Sequence, residues 1–373
     1  MLIADWHFMG LALRELRTIL GVARLKITRR LSEGFVVVES DRSAAEMDAL
    51  MKEAKPVFID ALLPLLAVAT ADAGYGPIAG ALEGIADKGT TFRIEALRIG
   101  SVIPDKAKSV EVALGNIMEG HGYHADMDRP ECTLFLILHG NQAFVSRAVG
   151  ASVTLDWYRA FNRARYDALN RSEMKLDEAV RYFGVGINGS GLCLDIGAAP
   201  GGWTDYLAMR GRRVVAVDSA MLDYKRLCRY GSVVVAVAGS ADDAAGLLAK
   251  IDSNIFAVPM EDADREFEGR RAAVLHVKSR LEGAVGVLRS LGRFGMITMD
   301  ANVAPETACD IIGSVAGLAD SGSVLIMTIK LVDNKIEERI KYVKEAISKV
   351  YGPAAVKKLP HNRMEVTLFA RRR

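Results

Sequence analysis

The stretch best spaced for chemistry runs from Leu192 to Leu207: Leu-Cys-Leu-Asp-Ile-Gly-Ala-Ala-Pro-Gly-Gly-Trp-Thr-Asp-Tyr-Leu. An apolar strand over Leu192–Ile196 runs into Gly197, and Gly201 and Gly202 follow before a helical run, Trp203–Met209. Glycines let a backbone turn sharply and lie against a ligand with no Cβ in the way. A second strand, Val214–Val217, ends in Asp218, at the spacing where a carboxylate accepts hydrogen bonds from ribose hydroxyls. Together these features predict a nucleoside-bearing ligand at the carboxyl edge of a parallel sheet. A nicotinamide dinucleotide fits less well. Its fingerprint is G-x-G-x-x-G, whereas here the second fingerprint position is Ala199 and Pro200 constrains the turn. Nothing in this loop requires a phosphate.

Asp195-Ile-Gly-Ala-Ala-Pro-Gly-Gly-Trp-Thr204 resembles the signature of the FtsJ-like RNA methyltransferases. The resemblance implies a Rossmann-like domain, S-adenosylmethionine as cofactor and methylation of a ribose 2′-hydroxyl. It also implies that Gly197, Ala199, Pro200, Gly201, Gly202 and Trp203 line the methionine end of the cofactor. Asp218 would hold its ribose, and Asp262, in Met260-Glu-Asp-Ala after a strand at Ile255–Val258, would lie near the adenine.

The same family uses a Lys-Asp-Lys-Glu tetrad, and each element has a counterpart. Lys175 lies in Met174-Lys-Leu-Asp-Glu-Ala, Asp300 ends the strand Met296–Met299, Lys330 ends Val324–Ile329, and Glu365 sits in Arg363-Met-Glu-Val. Lys330 is the expected general base, Asp300 its orienter, and Lys175 with Glu365 handle substrate and proton. A lysine is a base only when partly neutral, which desolvation or a nearby cation promotes. Lys175 would lower the pKa of Lys330, and Asp300 would oppose that shift.

These residues need elements to hold them. Of 373 residues, 50% are hydrophobic and 25% charged, so a core is easily filled and more than one domain is expected. Residues 1–73 read as strand–helix–strand–strand–helix–strand, an α+β unit of ferredoxin-like type. Residues 74–150 form a second α+β unit with a Gly140-Asn141 hairpin; Phe92-Arg-Ile-Glu, Lys108-Ser-Val-Glu and Asp126-Met-Asp-Arg-Pro-Glu resemble a THUMP domain, implying RNA binding. A polar, aromatic linker is expected over 151–171. From 172 to 373 strands and helices alternate, as in a parallel sheet covered on both faces. The segment between Asp218 and Asp300 is longer than the family pattern and includes a stretch read as helical, Arg271–Leu291.

Net charge is only +2, so any nucleic-acid contact rests on local clusters such as Arg24, Lys26, Arg29 and Arg30. Four scattered cysteines give no disulfide framework or metal spacing, which fits a reducing cytoplasm, and no segment reads as a membrane span. The Asn/Asp-Pro-Pro-aromatic motif of base-amino methylation is missing, since that place reads Asp300-Ala-Asn-Val-Ala-Pro. None of the cysteines has the Pro-Cys setting of carbon-5 methylation. The order of the three units resembles enzymes of large-subunit rRNA, making rRNA the first expected partner and tRNA the second. The alternatives are a non-catalytic RNA-binding assembly factor and a methyltransferase of proteins or small molecules.

Overall fold

The computed structural model describes residues 1–149, 170–187, 191–238, 241–248, 250–331 and 334–373. The chain divides into two compact units, Met1–Arg159 and Ala160–Arg373. Most of the expected linker, 151–169, lies outside the described residues.

The first unit begins with β1 (Leu2–Ile3), α1 (Met9–Leu20), β2 (Lys26–Ser32), β3 (Phe35–Glu39), α2 (Ala44–Ala54) and β4 (Ala61–Leu62). Met9, Ala12, Leu16 and Leu20 recur at helical spacing on α1 and are buried, and Gly21 ends that helix in the left-handed region. Ser43 starts α2 with a capping box: its Oγ accepts from Glu46 N at 3.3 Å, and Glu46 Oε2 accepts from Ser43 N at 2.8 Å. The strands form an antiparallel sheet in the order β2-β3-β1-β4.

β5 (Ala67–Thr70), α3 (Tyr75–Glu83), β6 (Thr91–Ser101), α4 (Ala107–Gly120), β7 (His124–Ala125), β8 (Cys132–Gly140) and β9 (Gln142–Val149) follow. They build a second sheet, ordered β5-β9-β8-β6-β7. The apolar segment Val57–Ala69 is therefore shared: Ala61–Leu62 pairs with β1, and Ala67–Thr70 pairs with β9. The change of sheet falls ahead of the expected boundary at residue 73. β8 explains how the two sheets cohere. Its alternate residues serve two cores, Leu134 and Leu136 beneath α3 and α4, Phe135 and Ile137 against Ile3, Val37 and Leu63.

The second unit runs α5 (Arg171–Tyr182), β10 (Cys193–Ile196), α6 (Gly202–Ala208), β11 (Val214–Val217), α7 (Tyr224–Leu227) and β12 (Val233–Val237). It continues through α8 (Ala241–Leu248), β13 (Ile255–Pro259), α9 (Ala263–Gly269), β14 (Val274–Lys278), α10 (Leu281–Ser290) and β15 (Phe294–Met299). It closes with α11 (Pro305–Val315), β16 (Ala319–Lys330), α12 (Ile336–Val350), β17 (Ala355–Lys357) and β18 (Glu365–Arg371). The nine-stranded sheet is ordered β13-β12-β14-β11-β10-β15-β16-β18-β17. Only β18 runs against the others among the described strands. Short, unbroken apolar runs such as Val214–Val217 suit strands with both faces covered, and all four of those residues are buried.

This topology corrects one expectation. Arg271–Leu291 is not one helical stretch: Val274–Lys278 is a strand, seated between β11 and β12, and only Leu281–Ser290 is helical. Four β-compatible residues ahead of Lys278 in a fully covered position carry no period-2 signal, so the pattern alone is ambiguous.

Ser43→Ala removes the cap of α2 and is expected to cost about 1 kcal/mol. Denaturant unfolding should show a lower midpoint for the N-terminal unit with an unchanged slope.

Candidate functional site

The carboxyl edge of the second sheet gathers all four residues of the predicted tetrad. Lys175 comes from the second turn of α5, Asp300 follows the last residue of β15, Lys330 ends β16, and Glu365 begins β18. Because β18 is antiparallel to β16, its first residue lies opposite the last residue of β16, and Lys330 pairs with Glu365 in register.

The side chains close into a ring. Lys175 Nζ lies 3.1 Å from Asp300 Oδ2 and 2.6 Å from Glu365 Oε1. Lys330 Nζ lies 2.9 Å from Asp300 Oδ1 and in very close contact with Glu365 Oε2. The four side chains are only 6–14% exposed. Two cations and two carboxylates thus neutralise one another where little water reaches them.

Two further residues, missed in the sequence, complete it. Ser172 Oγ donates to Asp300 Oδ2, and Thr328 Oγ1 donates to Asp300 Oδ1 at 2.8 Å. Spacing offered a signal for both. Ser172 stands three before Lys175 on one helix face, and Thr328 stands two before Lys330 on one strand face.

The ring fixes the charges. Burial alone would raise the Asp300 carboxyl, but Lys330, Lys175 and the Ser172 hydroxyl outweigh it and hold it below the usual carboxylate range. Burial likewise works to lower Lys330, yet Asp300 and Glu365 prevail and raise it above the ordinary lysine value. Lys330 is an ammonium in this geometry. The expected lowering by Lys175 is outweighed because two carboxylates, not one, face Lys330.

The glycine loop abuts the ring. Gly197 has φ +73°, and a Cβ there would come within 2.8 Å of the Ala301 Cβ, next to Asp300. A Cβ on Gly202 would run into Asn170 Oδ1, which caps α5 by accepting from Glu173 N at 3.1 Å. The Ala199–Pro200 peptide is cis, and Gly201 also has positive φ. Trp203, buried at the start of α6, donates its Nε1–H to Ser172 O at 2.6 Å, tying loop to ring through one serine.

Asp218, half-buried after β11, accepts from Ala199 N at 3.0 Å and from Ala220 N at 2.8 Å, one bond on each oxygen. Each carboxylate oxygen keeps a lone pair for a hydroxyl. Beneath the loop, Asp195 accepts from Thr204 Oγ1 at 2.7 Å and Thr298 Oγ1 at 2.9 Å. Burial pushes its carboxyl up to about 7 despite those hydroxyls, with Asp300 and Asp218 adding to the rise.

Asp262 does not join them. It follows β13, the outermost strand, three strand spacings from β11 or roughly 14 Å at ~4.8 Å per strand. Its carboxylate pairs instead with Arg265 at 3.0 Å. The strand beside β11 is β14, so Lys278 and Ser279 hold the place next to Asp218 where Asp262 was expected.

Among the described residues no group of His, Cys, Asp and Glu is arranged to hold a metal ion, and no helix is long and apolar enough to cross a membrane.

Residues 168–274 match the FtsJ-like methyltransferase family, a stretch that holds Lys175, the glycine loop and Asp218. The chain is similar to the ribosomal RNA large subunit methyltransferase M of Pseudomonas syringae pv. syringae (strain B728a), 30% identical over 128 residues. The same enzyme of Pseudomonas entomophila (strain L48) matches equally, at 30% over 128 residues. These alignments cover 32% of this chain and 36% of each relative, so the chain spans about a third of the length of the curated relatives it matches. Among solved structures, TrmN from Thermus thermophilus aligns over 99% of this chain and 97% of its own, at 16% identity and a TM-score of 0.35.

Gly197→Ala should destabilise the second unit by about 2 kcal/mol or more, from the left-handed backbone and the clash with Ala301. Adding Ala301→Gly should recover the steric part and leave the backbone part, as read by thermal melting of both variants.

Proposed function

We propose that this chain is an S-adenosylmethionine-dependent methyltransferase acting on a ribose 2′-hydroxyl of RNA, with large-subunit rRNA as substrate. The observation that carries the reading is the Lys175–Asp300–Lys330–Glu365 ring, packed against a glycine loop whose residues match the FtsJ-like family. The substrate assignment rests on the names of the matching relatives.

The loop suits the cofactor. Gly197 and Gly202 keep the backbone free of side chains, and Asp218 offers oxygens at the end of the adjacent strand. Gly197, Ala199, Pro200, Gly201, Gly202 and Trp203 would line the methionine end and Asp218 the ribose. When bound, S-adenosylmethionine supplies an activated methyl group on a sulfonium. The protein must then hold a ribose hydroxyl in line and take its proton.

Lys330 is the general base, and its neutral form is made within the ring. Its proton would pass to Glu365, its very close partner, once a bound cation beside the ring lowers the Lys330 pKa, leaving a neutral amine to accept the proton of the hydroxyl. Asp300, held by Ser172 and Thr328, orients that amine. Lys175 keeps Glu365 and Asp300 in place and balances their charge. Over the whole reaction the hydroxyl loses one proton, which the ring passes to solvent.

The first unit is the RNA-holding part in this reading. We take its β-α-β-β-α-β opening as the ferredoxin-like unit and the five-stranded unit from Ala67 onward as the THUMP-like module, a reading supported by the element order.

Purified protein, labelled S-adenosylmethionine and total RNA test the proposal. Lys330→Ala should lower kcat by ~10²–10⁴-fold, while affinity for S-adenosylhomocysteine stays close to that of the parent. Methyl groups should map to a ribose of large-subunit rRNA. Undiminished transfer by Lys330→Ala contradicts the mechanism, and methylation confined to tRNA contradicts the substrate.

A further inference from the structure

β14 carries a polar residue between β11 and β12, two strands made only of apolar residues. His276 sits mid-strand, in register with Ala216 on β11 and Val235 on β12, and is fully buried. Buried polar groups of this kind are retained only when bonded, and His276 uses both ring nitrogens. Nε2 lies 3.0 Å from the Asp218 backbone oxygen, and Nδ1 lies 2.6 Å from Tyr224 Oη.

The partners assign the tautomer. A carbonyl oxygen only accepts, so Nε2 carries the proton and donates to Asp218 O. Nδ1 is then an acceptor, and Tyr224 donates to it. The Asp218 peptide is gripped by β14 on both sides, because Asp218 N also donates to Val277 O at 3.4 Å.

Tyr224 brings the circuit back to the glycine loop. It opens α7, and the preceding residue, Asp223, donates its N–H to Pro200 O at 2.9 Å. Asp218 Oδ2 in turn accepts from Ala199 N. A closed path therefore runs Ala199, Asp218, His276, Tyr224, Asp223, Pro200. It joins the carboxylate and the loop, the two parts of the cofactor pocket.

We infer that His276, through Tyr224, is a positioning residue that sets the Asp218 carboxylate and the Ala199–Pro200 turn for the cofactor's nucleoside. The inference rests on the cofactor reading above. Burial keeps the imidazole neutral by pushing its pKa down to about 4, so the directed bonding persists across the working pH range. The charged groups around it are the Asp218 carboxylate and Lys278, two residues along its own strand. His276 touches no reacting atom. Its effect belongs on donor affinity and not on the methyl-transfer step.

Calorimetric binding of S-adenosylhomocysteine to the full chain provides the test, alongside melting curves and the KM and kcat for S-adenosylmethionine. His276→Leu removes the ring partner of the Asp218 carbonyl and leaves the Tyr224 hydroxyl only the Met221 Sδ at 3.8 Å; affinity should fall by about ten-fold or more. KM for the donor should rise in step with little change in kcat. His276→Gln keeps an N–H at the Nε2 position and should restore affinity to within about three-fold of the parent, a rescue that lost stability alone would not produce. Should His276→Leu fail to fold, Tyr224→Phe, which deletes one oxygen, is expected to weaken binding by a few-fold. Nitrogen-15 spectra of the parent should show the proton on Nε2. Binding by His276→Leu or Tyr224→Phe equal to that of the parent, or a proton on Nδ1, overturns the positioning role alone. A parent protein that binds no S-adenosylhomocysteine overturns the cofactor reading and this role with it.

Discussion

Two ammonium groups and two carboxylates share one nearly dry pocket at the carboxyl edge of the second sheet, and each would cost several kcal/mol to bury alone. Only mutual neutralisation makes the pocket tolerable, and that requirement reaches outward through the fold. It explains why α5 turns Lys175 inward; the neighbouring buried acids on that helix answer to other partners, Glu173 to Arg226, Asp177 to Tyr206 and Glu178 to His361. It also gives the reversed strand a purpose. A parallel β18 would carry its first residue to the opposite edge of the sheet, whereas the antiparallel β18 sets Glu365 against the end of β16.

The ring cannot be separated from the loop beside it. Ser172 bonds to Asp300 with its hydroxyl and to Trp203 with its carbonyl, and Ala301 leaves no space for a side chain at Gly197. A shift of the loop is therefore a shift of Asp300. Asp195 lies below both, with its carboxyl raised to about 7, so near neutral pH it adds less than a full negative charge beneath Asp300 and Asp218. Its two threonine partners come from α6 and β15, the elements that deliver the loop and Asp300. Loop and ring are bonded into one piece, as the proposed methyl transfer, with its in-line approach, would require.

Much of this was legible in the residues. A glycine loop between strand and helix, followed by a carboxylate at fixed spacing, is written in contiguous sequence, and so are the short motifs around Lys175 and Glu365. What failed was non-local. The resemblance places Asp262 near the adenine from its seat after the strand Ile255–Val258, but β14 returns to lie between β11 and β12 and pushes β13 to the sheet edge. Strand order is a property of crossovers and leaves no local mark in the sequence. The same detour hides His276, whose short apolar strand carries no period-2 pattern in the sequence. The apolar run before Ala69 concealed a change of sheet for a similar reason, since burial on either sheet asks for the same residues. Ser172 and Thr328 went unnoticed because a hydroxyl near a helix start or within a strand is unremarkable until its partner is known.

The central claim is that Lys330 rests as an ammonium within a neutral ring and becomes a base only once the site is filled. Nitrogen NMR of the Lys330 Nζ, assigned through Lys330→Arg and followed against pH, tests it most directly. In the ligand-free protein the group should stay protonated past the ordinary lysine value of 10.5. Adding S-adenosylmethionine and RNA should bring the titration down. A Lys330 that already titrates near neutrality without ligands, or one unmoved by them, would contradict the account.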